Sequence, residues 1–226
     1  MFKQALALVK FLRAYATVTR DPNRLDMVFA MIDHVHGVDP DTIPMLKLPE
    51  FQPVIEQPAR RLELDLDALA RLPAGTLGAE LVRFLRDNEL DPDGLSHTLE
   101  DGGPLSRVKA HLESTHDLWH VLTGLGTTVD DEIELQAFYA AQLAAPPPLM
   151  ILSSGLLNSI LIDRESGPAR LEALVRGYLL GRRAKPLAGV DWSRHWATPL
   201  AELRRQFNID AAGARAVLEP QPRLAA

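Results

Sequence analysis

Residues 116–120 read HDLWH, which places two imidazoles four positions apart with a carboxylate beside the first. Neutral imidazole nitrogen and carboxylate oxygen bind zinc, iron, manganese or cobalt, and such a set offered from one side leaves positions open for water or substrate. The chain has seven histidines, so a pair at this spacing also arises by chance. Taken alone it is more often structural or solvent-exposed than metal-binding, and the surroundings must decide.

Those surroundings are helical. The segment PLSRVKAHLESTHDLWHVLTG is expected to start near Pro104 and to stop at Gly124 and Gly126. At about 100° per residue, with His116 at zero, His120 falls near 40°, Glu113 near 60° and Asp117 near 100°. Leu118, Val121, Leu122 and Leu125 lie on the far side with Trp119 off to one flank, and His111 points away and is not expected to be a ligand. Thr127 and Thr128 can cap the next helix, VDDEIELQAFYAAQLAA. His120 stands four residues before Gly124 and Glu132 four after Thr128, so an antiparallel hairpin brings both to one depth. The candidate catalytic and metal-binding set is therefore His116, Asp117, His120 and Glu132.

Two known chemistries compete for the histidines. A zincin needs HExxH with glutamate as general base, and here the residue after the first histidine is the shorter Asp117. An HD-type metal-dependent phosphohydrolase is the closer rival, and it would need a further histidine such as His34 or His36.

Composition narrows the classes. The 226 residues are 46% hydrophobic and 24% charged with a mean hydropathy of -0.04, a globular profile long enough for one substantial core. A net charge of -6 provides no field for phosphate backbones, so nucleic acid is not an expected partner. Cysteine is absent, which removes thiolate metal sites and cysteine nucleophiles.

Along the chain the signals are those of an all-α protein. MFKQALALVKFLRAYATVTR is basic and reads as a surface helix, and Asp21 with Pro22 is expected to open a second one. Pro40, Pro44, Pro49, Pro53 and Pro58 mark residues 38–61 as an irregular connection. LDLDALARLPAGTLGAELVRFLRDNELDPDG gives two helices, the second capped by Thr76 and ending near Asn88. Two more follow the hairpin, in PPPLMILSSGLLNSILI and GPARLEALVRGYLLGRRAK, with a last short one from Pro199 to Phe207. No stretch reaches the ~20 apolar residues of a membrane span. The expectation is a single all-helical domain over residues 1–209 whose antiparallel helix hairpin carries the metal site, with a loosely ordered tail at 210–226.

HDLWHVLTGLGTTVDDE resembles the His-Asp-x-x-His, eleven residues, Glu signature of the ubiquinone (coenzyme Q) biosynthesis family often called Coq-four, with His116, Asp117, His120 and Glu132 on its four positions. RGYLLGRRAKPLAGVDWSRHWATPLAELRRQFNI is similar to the family's C-terminal block through Gly181, Ala184, Lys185, Pro186, Leu187, Trp192, Trp196, Pro199 and Leu200. LPAGTLGAELVRFLRDNELDP resembles its middle segment, while the N-terminal third departs from the pattern.

The resemblance implies a peripheral membrane protein holding a divalent metal, zinc by family habit, with iron, manganese or cobalt as other occupants. It implies oxidative decarboxylation at ring carbon one of a polyprenylated hydroxybenzoate, of the 4-hydroxy-3-methoxy-5-polyprenylbenzoate type, alongside organisation of the ubiquinone-synthesis complex. A non-catalytic lipid-binding scaffold of that complex is the alternative. Expected partners are a polyprenylated aromatic lipid, other ubiquinone-biosynthesis proteins, a membrane surface and a second copy in a homodimer. The Arg- and Ala-rich composition points to a bacterial cytoplasm with peripheral association at the inner membrane, the matrix face of the mitochondrial inner membrane being the alternative. Asp117 can serve instead as a partner orienting one histidine, because adjacent helical residues diverge by about 100°. For the prenyl tail, Phe138, Tyr139, Leu149, Leu156 and Ile160 on the two helices after the motif offer an apolar groove, although such a face is more often core. The basic run Arg182, Arg183 and Lys185 reads as a solvated helix end.

Overall fold

A computed structural model of the chain describes residues 2–33, 43–56, 62–95, 102–143 and 145–216. Its α-helices are α1 (Phe2–Arg20), α2 (Leu25–Ile32), α3 (Gln52–Glu56), α4 (Leu66–Ala70), α5 (Leu77–Asp87), α6 (Pro104–Thr123), α7 (Val129–Leu143), α8 (Pro146–Leu161), α9 (Gly167–Arg183), α10 (Leu200–Gln206) and α11 (Ala211–Ala216). No strand occurs among the described residues, so the fold is all-α as expected.

The α6–α7 hairpin owes its boundaries to local chemistry. Pro104 opens α6, where a missing N–H leaves nothing unsatisfied, and Gly124 closes it at φ 76° while its N–H returns to the His120 carbonyl at 2.8 Å. Thr128 and Asp131 then form a reciprocal cap: the Asp131 N–H donates to the Thr128 hydroxyl at 3.2 Å, and the Thr128 hydroxyl donates to the Asp131 carboxylate at 2.6 Å.

Other boundaries differ from expectation. The second helix begins at Leu25, because the Asp21 carboxylate accepts the Asn23 N–H at 3.1 Å and spends its capping oxygen on a turn that contains Pro22. Thr76 precedes α5 but does not cap it by side chain; its hydroxyl donates to the Pro73 carbonyl at 2.7 Å. The free N–H groups of Leu77 and Gly78 go instead to the carbonyls of Thr198 and Trp196, in a loop more than a hundred residues away. Within residues 38–61, Pro44 and Pro49 each start a 3-10 turn leading into α3, and Phe51 there is fully buried, so the described part, residues 43–56, has regular structure. Pro40 and Pro58 lie outside the described residues. In the tail expected at 210–226, residues Ala211–Ala216 form α11, which packs on α9 and buries Ala214, and residues 217–226 lie outside the described residues.

One close packing decides the shape around the site. Gly177 and Gly181 of α9 meet the backbone of α7 at Glu134 and Phe138, where any Cβ would collide, and buried Ala173 lies one turn before them. Small residues at i, i+4 and i+8 let α9 seat against one side of α7. The packing of α7 on α9 is far more extensive than on its hairpin partner α6. Beyond the turn, a cavity of about 630 Å³ has both α6 and α7 in its wall.

Candidate metal centre

The hairpin brings its ligands together. Nε2 of His120 lies 3.1 Å from Nε2 of His116 and 3.1 Å from Oε1 of Glu132, and Nε2 of His116 lies 3.9 Å from Oε2 of Glu132. Ligand atoms of these three residues all fall within 4.8 Å of one another. Ligands at zinc–nitrogen distances of about 2.0–2.1 Å on a tetrahedron stand about 3.3 Å apart, so the triad fits a divalent cation with little movement. His120 is buried at 2% side-chain exposure while Glu132 keeps 37%, so the set is closed behind and open towards the cavity.

Charge follows the same geometry. Burial alone would lower the His116 pKa, but hydrogen bonding and charge from Glu132, with charge from Asp117, outweigh it and raise it above the ordinary imidazole value. Burial pushes Glu132 up, yet hydrogen bonds from His116 and His120 dominate and hold its carboxylate well below the usual range. Two imidazoles facing one carboxylate is a donor set for which protons and a divalent cation compete.

Asp117 stands outside this triad. It lines the same cavity, and burial first of all pushes its carboxyl up, opposed by the charges of His116 and His120. The ~100° between neighbouring helical positions separates it from Nε2 of His116. His111 is turned away as expected, hydrogen-bonded to the Ala188 backbone and held below its usual pKa by burial. Leu118 and Trp119 are core residues between the ligands, at 1% and 0% exposure. His34 and His36, which a phosphohydrolase reading would enlist, lie outside the described residues.

The cavity walls differ from the expected groove. On α7 the lining residues include Glu132, Gln136, Tyr139 and Leu143, and on α6 Lys109, Glu113, Asp117 and both histidines. On α8 they are Pro146, Pro147, Pro148, Ile151, Ser154 and Gly155, and α2 adds Leu25, Val28, Phe29 and Ile32. Of the five residues expected to bind the tail, Tyr139 lines the space. Phe138 is wholly buried against Trp119 at 5.6 Å, and Leu149 and Ile160 are 60% and 63% exposed on the outer side of α8. Leu156 is half-buried and outside the lining. Helix α8 thus contributes its other face.

Two contacts had no sequence signal. Arg204 of α10 donates from Nε to the Leu122 carbonyl at 2.9 Å and from Nη2 to the Val121 carbonyl at 3.0 Å, satisfying the end of α6 beside His120. Tyr139 brings its hydroxyl within 3.3 Å of Nδ1 of His116 and stacks on Trp119 at 4.2 Å, and burial keeps its phenol protonated far above the ordinary range.

Comparison with known proteins gives one family. The sequence profile described as "Coenzyme Q (ubiquinone) biosynthesis protein Coq4" matches residues 10–213. The mitochondrial ubiquinone biosynthesis protein COQ4 homolog of Danio rerio is 34% identical over 170 residues, which are 70% of this chain and 58% of that protein. The corresponding Bos taurus protein is 31% identical over 196 residues, 84% of this chain and 72% of that one. The chain thus spans about three-fifths of the length of the zebrafish relative. The crystal structure of a candidate ubiquinone biosynthesis protein from Nostoc punctiforme superposes with a TM-score of 0.74 at 28% identity, over 89% of this chain and 97% of that one.

Proposed function

Since the chain belongs to the family of the coenzyme Q (ubiquinone) biosynthesis protein Coq4, we propose that it acts in that synthesis as a metal-dependent enzyme, replacing the carboxyl group at ring carbon one of a polyprenylated hydroxybenzoate with a hydroxyl. The net change is a two-electron oxidation that balances with dioxygen as the oxidant: the aromatic acid, dioxygen and water give the phenol, carbon dioxide and hydrogen peroxide.

The observation that carries this reading is the placement of the triad on the wall of a mainly apolar cavity of about 630 Å³. A polar head with an isoprenoid tail has that division of chemistry. His116, His120 and Glu132 hold the cation, zinc by family resemblance, while iron, manganese and cobalt accept the same donors. When bound, the ion supplies Lewis acidity towards a phenolate or carboxylate oxygen of the ring. Asp117, beside the triad, orients the site or a reacting proton. Leu25, Val28 and Phe29 of α2 and Ile151 and Gly155 of α8 line the cavity, and together they enclose the tail and keep water from the ring.

The lipid substrate places the protein at a membrane surface. We place that association as peripheral, at the bacterial inner membrane or at the matrix face for a mitochondrial protein like the animal relatives; no helix among the described residues is long and apolar enough to cross a membrane. Other biosynthesis proteins, and a second copy of the chain, are the partners of the organising role.

The test uses 4-hydroxy-3-methoxy-5-polyprenylbenzoate carrying a labelled carboxyl carbon. Release of labelled carbon dioxide is expected from metal-loaded protein and its loss after chelation. Undiminished release from metal-free protein overturns the metal-dependent mechanism.

A further inference from the structure

Neutral imidazole carries one proton, and its two nitrogens cannot both present lone pairs. For Nε2 of His116 to turn a lone pair on a cation shared with His120 and Glu132, the proton must sit on Nδ1. The group that Nδ1 meets is the Tyr139 hydroxyl at 3.3 Å, with the two rings nearly parallel at 12°. The phenol oxygen then accepts from Nδ1–H, and its own O–H needs another acceptor. His116 is the protein partner recorded for that hydroxyl among the described residues, and Tyr139 lines the cavity on the stripe Glu132, Gln136, Tyr139 and Leu143. Stacking on Trp119 at 4.2 Å and 4° fixes the ring, so the hydroxyl has little freedom to turn elsewhere.

We infer that Tyr139 is a two-sided hydrogen-bond bridge: its hydroxyl oxygen accepts from Nδ1–H of His116, and its proton is donated into the cavity to an acceptor oxygen of the bound aromatic head. The inference rests on the metal reading above and adds a subsite to it. Next to the triad lies a donor position that selects a ring bearing a phenol or carboxylate oxygen on the Tyr139 side. Hydrocarbon alone does not satisfy it. Tyr139 positions His116 towards the metal and contacts the substrate directly, and both roles use the one hydroxyl.

Tyr139→Phe keeps the ring and its stacking while removing the oxygen. Three titrations compare it with the wild type: cobalt(II) followed by absorption, 4-hydroxybenzoate binding to the cobalt-loaded protein by calorimetry, and the neutral apolar dye N-phenyl-1-naphthylamine as a cavity control. Cobalt affinity is expected to fall about 10–100-fold and 4-hydroxybenzoate affinity about tenfold or more, with dye affinity unchanged. Equal cobalt and 4-hydroxybenzoate affinities in the two proteins overturn the bridge and leave the metal reading standing. A wild type that binds neither cobalt nor zinc overturns both together. A measurement on the wild type alone guards against a variant that folds poorly: nitrogen NMR of the zinc-loaded, histidine-labelled protein is expected to show His116 protonated at Nδ1 and metal-bound at Nε2. The opposite tautomer overturns the bridge.

Discussion

His120 and Glu132 meet at 3.1 Å across the turn that joins their helices, each four residues from the residue that flanks its helix end, Gly124 or Thr128. Gly124 ends the first helix in a left-handed conformation and Thr128 caps the next, so neither residue can slide without losing its helix end. The ligand pair is thereby fixed by backbone chemistry.

His120→Ala and Glu132→Ala are expected to lose bound metal, measured by elemental analysis of purified protein, together with decarboxylation. The scaffold role makes a separate claim: both variants still co-purify with the other biosynthesis proteins. Retention of stoichiometric metal by either variant sinks the assignment of the triad.

Asp117→Asn tests the residue that stands apart. Because its carboxylate lies outside the triad, the variant is expected to keep metal with an affinity lowered no more than about 10–100-fold, the range for an outer partner of a ligand. Complete loss of metal would make Asp117 a ligand.

Acidity acts with opposite signs on the two forms of the protein. The His116 pKa is raised above 6.5, so in metal-free protein its contribution to stability is full below that value and fades as pH rises through the folded one. Glu132 is depressed from 4.5, so its share persists at neutral pH and is lost only on strong acidification. Metal-free protein should therefore gain melting temperature from pH 8 to 6.5. Zinc-loaded protein should lose its metal-dependent increment over the same range, because protons compete for Nε2. Melting curves with and without zinc at three pH values decide it, and parallel slopes contradict the prediction.

Ile151→Trp should fill the cavity from the α8 wall. Binding of a farnesylated ligand is expected to weaken at least tenfold while zinc affinity stays within twofold, order-of-magnitude expectations for blocking an apolar site away from the ligands. Unchanged prenyl binding places the tail elsewhere.

Arg204→Met removes two charge-assisted hydrogen bonds from the end of α6. A loss of about 1–3 kcal/mol in urea unfolding is expected. A neutral result would mean that water caps those carbonyls equally well.

What the sequence made legible was local. The α6 helix with its stop at Gly124, the Thr128 cap and the convergence of His116, His120 and Glu132 all follow from helical period and turn chemistry within a few residues. Arg204 and the loop that takes up the N–H groups at the start of α5 act over long separations and leave no mark in any window. Phe138, Leu149 and Ile160 show a different limit. Apolar residues at helical spacing look alike whether they meet core, ligand or solvent, and only the seating of α9 against α7 fixes which face of α7 is free.

The separations also set an order of assembly. His120 and Glu132 are twelve positions apart, whereas Arg204 reaches Leu122 over 82. Closing the longer loop costs roughly 2 kcal/mol more chain entropy. The α6–α7 turn alone thus brings His120 and Glu132 to one depth early, while the α9 helix that sets the free face of α7 and the arginine that locks the end of α6 join from later in the chain.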